Sequence, residues 1–294
     1  MLAFLPLLLQ AYDPEVEAVM NRSRQRKQEE RAAAADAAAA QANQAAKATA
    51  AAQDGPVPIP AKFAAPFQAC IDKANQSPDE AVAFAQKWRL EGGSFYARNC
   101  MGYAFSRAER WSPAIVAFEQ AADEAERGGE MVQSARLWAQ AGNAALASGD
   151  AAKARADFDA ALARGIPDGL EKGEVYLDRA RALVALGDND GARTALDVAL
   201  EQAPRDPLGW LLSATLARRT GQMTLAQGHI ARAVQLSPDD ASVALEEGNI
   251  AVLSAHEDVA RSAWERAVRI APASPAGKAA ADNLSRLTAA KPAG

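Results

Sequence analysis

The sequence predicts an all-α solenoid of antiparallel helix pairs, and three observations carry that prediction. Ala192, Ala226 and Ala260 are 34 residues apart, as are Ala199, Ala233 and Ala267. Pro204, Pro238 and Pro272 keep the same spacing. The chain is 49% hydrophobic but only 6% aromatic, and much of the apolar content is alanine. Alanine has the highest helix propensity and little volume, so the composition suits closely packed helices with few bulky anchors. No long alternating Val/Ile/Thr run suggests a sheet. A fixed period of this length marks an array whose units add in line, so 294 residues need not mean two domains.

The chain opens with the apolar run Leu2 to Leu9, interrupted by Pro6. The run is far too short for a spanning helix, which takes about 20 apolar residues. Its length fits the core of a secretory signal, residues 1–11, cut after Ala11. No basic residue precedes it and Leu9 would stand at −3, so an apolar tail is the alternative. Residues 12–60 read as an alanine-rich, helical or disordered spacer. Its propensity is helical, but it holds almost no large apolar residue to bury. Arg22, Arg24, Arg26 and Lys27 read first as a solvated face beside Glu29 and Glu30, and second as a contact for anionic lipid or a partner. Asp54-Gly55-Pro56 and Pro58-Ile59-Pro60 break any helix.

The regular array covers 95–274. With position 1 of each unit at Phe95, Ala135, Gly173, Pro207 and Ala241, the last three starts are 34 apart; the earlier steps are 40 and 38. The extra residues fall around 127–134 and 167–172, where Gly128-Gly129 and Pro167-Asp168-Gly169 supply turns. Close helix crossings need small side chains. Position 8 gives Gly102, Gly142, Ala180, Ala214 and Gly248; position 20 gives Ala114, Ala154, Ala192, Ala226 and Ala260; position 27 gives Ala121, Ala161, Ala199, Ala233 and Ala267. Phe118, Phe158, Leu196, Ile230 and Trp264 at position 24, and Trp138, Tyr176 and Trp210 at position 4, fill the spaces between. Gly149-Asp150, Gly187-Asp188 and Gly221-Gln222 end first helices, and the three periodic prolines end second helices. Upstream, 61–94 reads as a degenerate first unit, with a helix start at Ser77-Pro78-Asp79. Downstream, Pro275 to Leu287 reads as a capping helix within 275–294, of the kind an open array needs.

These residues resemble the tetratricopeptide repeat family over 95–274. The pattern departs at position 11, where Ala145, Ala217 and Ala251 replace a bulky aromatic, and at Ala255-His256, which replaces the glycine turn. The resemblance implies a right-handed superhelix with a concave groove built from positions 2, 5, 9, 12 and 13 of each first helix. Position 9 supplies Tyr103, Asn143, Arg181, Thr215 and Asn249, a polar row. Position 5 supplies Asn99, Ala139, Leu177, Leu211 and Leu245, and position 12 adds Ser106, Leu146, Val184, Arg218 and Val252. A polar row beside an apolar row suits an extended peptide. A solvated concave face with a few leucines is the alternative. The carboxylate clamp of chaperone-binding members needs Lys at position 5, which is absent here.

Catalytic and metal motifs are not found. There is no Gly-rich phosphate loop, GxSxG or HExxH. Cys70, Cys100, His229 and His256 lack the paired spacings of a zinc site, so no cofactor is expected. His229 is expected on an exposed helix face and His256 at a solvated turn. The net charge of −5, with both signs mixed, argues against nucleic acid, which wants a basic face. Cys70 and Cys100 fall on consecutive first helices if 61–94 is a repeat unit. Helix axes about 8–10 Å apart allow the Cα spacing of a disulfide, about 4.4–6.8 Å. A bond is expected, with two buried thiols as the alternative. The signal and the disulfide support one another, because disulfides persist in oxidising compartments.

Two functions follow. The first is a non-enzymatic scaffold that binds a protein or peptide partner in its groove, in the periplasm or cell envelope, with a cytoplasmic location as the alternative. The second is a structural or assembly subunit that oligomerises through the N-terminal alanine-rich segment. An enzyme is not expected, since no residues are left for a catalytic domain.

Overall fold

The computed structural model describes residues 59–289. The apolar run, the spacer up to residue 58, and 290–294 lie outside the described residues. Thirteen helices and no strand occur among the described residues: α1 (Ala61–Gln76), α2 (Pro78–Leu90), α3 (Ser94–Arg107), α4 (Trp111–Arg127), α5 (Met131–Ser148), α6 (Ala151–Ala163), α7 (Leu170–Ala185), α8 (Asn189–Gln202), α9 (Pro207–Arg219), α10 (Met223–Leu236), α11 (Ala241–Leu253), α12 (Glu257–Ile270) and α13 (Pro275–Ala289). They form six pairs and a final single helix. Ile59, just ahead of α1, packs on the core.

Local chemistry sets the helix ends. Pro78 and Pro207 open α2 and α9, where a missing N–H costs nothing. Asp150, Asp188, Asp206 and Asp240 cap α6, α8, α9 and α11, each carboxylate accepting from a first-turn N–H. Position 15 closes every first helix of the regular array with a positive φ: Gly149 at 83°, Gly187 at 81°, Gly221 at 74°, Glu109 at 54° and Ala255 at 60°. The left-handed turn therefore persists where glycine is missing, because Asp150, Asp188 and their equivalents must still turn back into the second helix.

The longer spacing near 127–134 is mostly helix. α4 has 17 residues and α5 has 18, against 13 and 14 for α9 and α10. Only Gly128, Gly129 and Glu130 lie between them. The second insertion is a true loop around Gly165 and Gly169, both at positive φ, with the remaining residues added to the start of α7.

The small positions form the spine of the core. All five alanines at position 20 are fully buried, and those at position 27 are at most 3% exposed. Against them stand the buried side chains of Phe118, Phe158, Leu196, Ile230 and Trp264. Consecutive helices pack along the whole array. First helices also reach the next first helix at α1–α3, α5–α7, α9–α11 and α11–α13, whereas no two second helices are in comparable contact. The first helices thus form the inner face. α3–α5 and α7–α9 stand further apart, and a hollow opens at each. Cys70 of α1 and Cys100 of α3 are bonded, with Cα atoms 6.2 Å apart and both side chains fully buried.

Candidate functional site

The inner face falls into three parts, each set by which first helices meet. Between α1, α3 and α5 lies a hollow of about 370 Å³ lined by Phe67, Asn99, Tyr103, Ser106, Gln140 and Asn143, among others. The Tyr103 hydroxyl donates to Asn75 Oδ1 at 2.8 Å across the α1–α3 seam. Asn143 is exposed.

Between α5 and α7 the face is acidic. A hollow of about 270 Å³ is lined by Arg136, Gln140, Asn143, Glu171, Glu174 and Asp178, with Phe158 and Val175 beneath. Arg136 donates to both carboxylate oxygens of Glu171, at 2.6 and 2.8 Å. Burial raises the Glu174 carboxyl above its ordinary pKa, and the charges of Asp206, Asp178 and Glu171 push the same way. Burial also raises Asp178, against the opposing pull of the Arg181 charge and a hydrogen bond from Asn143.

Between α7 and α9 the face turns apolar with a basic rim. A hollow of about 160 Å³ has Ala180, Leu196 and Leu216 as its floor, Val184 and Leu212 as its walls, and Arg181, Thr215 and Arg219 at its edge. Arg181 is exposed and lies 2.9 Å from Asp178 Oδ1. The Thr215 hydroxyl is turned onto its own helix, donating to Leu211 O at 2.9 Å.

Other residues of the expected groove are committed to the fold. Arg218 makes a two-point ion pair with Glu246, at 2.6 and 3.2 Å, and Glu246 is buried. The Asn249 carbonyl oxygen accepts from Trp264 Nε1 at 3.2 Å and from Asn283 Nδ2 at 3.1 Å, while its Nδ2 donates to Glu246 at 3.2 Å. Asn249 therefore fastens the final helix α13 to α11 and α12. Leu177 is no groove residue: it is only 4% exposed, because the start of α9 closes over position 5 of α7. Leu211 and Leu245 are half-buried in the seams between first helices. The exposed helix face expected for His229 is also corrected. Its ring is half-buried, edge-on to Trp210 with centroids 5.4 Å apart, and its pKa is lowered by burial and then by the Arg193 charge. His256 lies at the exposed turn before α12.

Sequence reading missed Arg136, Glu174 and Arg219, although positions 2 and 13 of the family's set hold them. It also missed Gln140 and Asp178 at position 6, which line the hollow between α5 and α7. Among the described residues, no group of three or more His, Cys, Asp or Glu side chains is placed to hold a metal ion, and no helix is long and apolar enough to cross a membrane.

Residues 139–207 and 177–241 match the family model described as tetratricopeptide repeat. Among solved structures, the chain is similar to PilW, a widely conserved type IV pilus biogenesis factor, with 17% identity, a TM-score of 0.62, and coverage of 75% of this chain and 98% of that one. It is also similar to PilF of Pseudomonas aeruginosa (15% identity, TM-score 0.59, 75% and 97% coverage). A third is BtubC from P. vanneervenii (15%, 0.56, 70% and 91%). At these identities the likeness is one of fold. No curated protein sequence matches the chain.

Proposed function

The chain is a tetratricopeptide repeat protein, and on that premise we propose that it is a scaffold whose inner face, from Tyr103 to Thr215, binds an extended segment of a protein partner. The repeat fold itself is a protein-interaction fold, and its members are generally not enzymes. The observation that carries the finer reading is the run of three hollows along the first helices, each presenting side chains with spare hydrogen-bonding capacity above an apolar floor. Asn143 has a place in two of the three and stands at the centre of the run. Mixed polar and apolar lining suits a peptide, whose backbone needs donors and acceptors while its side chains need cover.

A place in the cell envelope belongs to the same proposal. It is supported by the apolar run before Ala11 and by a disulfide sealed inside the first two pairs. Sequencing the N-terminus of protein from its native cell checks this: a chain beginning after Ala11 in the envelope supports it, and an intact Met1 in the cytoplasm overturns it.

The binding face is tested by placing a photo-crosslinking amino acid at Asn143 or Thr215 inside and at Arg155 or Gln235 on the exposed faces of second helices. Partner crosslinks are expected from the inner pair alone. Asn143→Ala with Arg181→Ala should weaken capture without lowering Tm by more than a few degrees, since exposed residues contribute little to stability. Crosslinks from the outer pair only would move the site elsewhere.

A further inference from the structure

We propose that the hollow between α7 and α9 takes one leucine-sized side chain of the bound segment, and that an acidic side chain next to it in that segment is read by Arg219. This rests on the inner-face reading above and adds the chemistry of the ligand.

Size comes first. The hollow measures about 160 Å³ and its floor of Ala180, Leu196 and Leu216 is at most 3% exposed. An apolar cavity of about 150 Å³ accommodates a benzene-sized group, so one aliphatic side chain fills this one and a second residue does not fit. The floor offers no polar atom that a polar side chain would need.

Charge comes second. Arg181 is neutralised by Asp178 on its own helix, and Arg218 by Glu246. Arg219 is exposed at the rim and has no ion pair or side-chain hydrogen bond among the described residues. It is the open cation at the rim of this hollow. On the other side of α7 the hollow is lined by Glu171, Glu174 and Asp178; Glu171 is paired with Arg136 and Asp178 with Arg181, which leaves Glu174 as a carboxylate with no cation against it among the described residues. A ligand carboxylate is repelled there and drawn to the α9 side. Such complementarity sets the direction and register of a bound chain more than its raw affinity.

Position in the array comes third. First helices continue on both sides of the hollow, α3 and α5 before it and α11 and α13 after it. A segment crossing it has surface to follow in either direction. The acidic group is therefore a side chain within the segment, not a terminal carboxylate.

The test uses the full chain and N-acetylated, C-amidated Ser-Gly-Leu-Glu-Gly-Ser, followed by methyl NMR. Shifts are expected at Val184, Leu212 and Leu216. Replacing the peptide's Leu by Ala or its Glu by Gln should weaken binding about tenfold or more, equivalent to about 1.4 kcal/mol. Arg219→Glu should abolish the shifts and Arg219→Lys should keep most of them. Equal binding of the Gln peptide, tighter binding of Ser-Gly-Leu with a free carboxylate, or unmoved methyls overturns the proposal. The inner-face reading is judged separately. Partner crosslinks at Asn143 and Thr215 that persist while the three methyls stay unmoved overturn the hollow and leave the face. Absence of those crosslinks overturns both.

Discussion

Gly248 lies directly beneath the indole of Trp264, so close that a Cβ built on it would sit 2.9 Å from Cε2 and nearer still to Cδ1 and Nε1. The same holds at Gly102, where a Cβ would meet Phe118 at 2.6 Å, and at Gly142, where it would meet Phe158 at 2.7 Å. Where position 24 is aliphatic, at Leu196 and Ile230, position 8 is Ala180 and Ala214. Each pair matches a ring to a missing methyl, as close packing requires. Gly142→Ala is therefore expected to destabilise by about 1–2 kcal/mol, an overpacking cost of roughly 1–3 kcal/mol partly offset by alanine's helix propensity. Adding Phe158→Leu copies the Ala180–Leu196 pair and should recover part of the loss. A double-mutant cycle in urea checks this; additive effects would show that the two sites are not coupled.

Ala255 holds φ at 60° where three equivalent turns have glycine. An L-residue there costs about 1–2 kcal/mol, while glycine loses about 0.4–1 kcal/mol through greater freedom in the unfolded chain. Ala255→Gly is expected to raise stability by about 0.5–1 kcal/mol, with Gly187→Ala moving the opposite way. Denaturant midpoints measured side by side decide it.

Glu174 has a raised pKa in the folded protein. Its contribution to folding is therefore full below the unfolded value of about 4.3 and is lost as pH rises through the folded one. Glu174→Gln should be more stable than the parent at pH 7 and equal to it near pH 3.5. A melting series across that range reads the difference, and a variant less stable at pH 7 would mean that Glu174 has a favourable partner.

The three guanidinium nitrogens of Arg193 on α8 are shut off from water with no hydrogen-bond partner among the described residues. A buried charge without a partner is costly to desolvate, and an apolar side chain of similar length avoids that cost. Arg193→Met is expected to raise Tm and to move the His229 pKa back up, since the Arg193 charge lowers it. Proton NMR titration of His229 follows the second effect, and an unmoved pKa would leave burial as its cause.

The Cys70–Cys100 bond closes a loop across 30 residues of sequence. Chain entropy assigns such a closure about 3–4 kcal/mol. Reduction should lower the denaturant midpoint accordingly, and the unreduced, unfolded protein should show no free thiol. Two titrating thiols would remove the bond and weaken the case for the envelope.

Much of the fold was legible because its determinants are local or periodic. Pro204, Pro238 and Pro272 end second helices by chemistry that acts within one turn. Ala114, Ala154, Ala192, Ala226 and Ala260 mark helix crossings, because only a small side chain lets two backbones approach, and that demand recurs with each unit. The pairing of Gly248 with Trp264 is also present in the sequence, but only as a correlation between positions 8 and 24, which neither position shows by itself.

The groove was less legible. Position 9 alone does not distinguish Asn143, which is exposed and bonded only to Asp178 among the described residues, from Asn249, which is used up between Glu246, Trp264 and Asn283. Position 5 does not distinguish Leu177, covered by α9, from Leu211 and Leu245 in half-open seams. By itself the sequence determined the helices, the turns between them and the small buried positions at which they cross, since those follow from propensity, punctuation and side-chain size along one chain. Only the tertiary structure decided which inner-face residues remain free to bind. That depends on how far α3 splays from α5 and α7 from α9, a sum of many small packing differences between neighbours far apart in sequence.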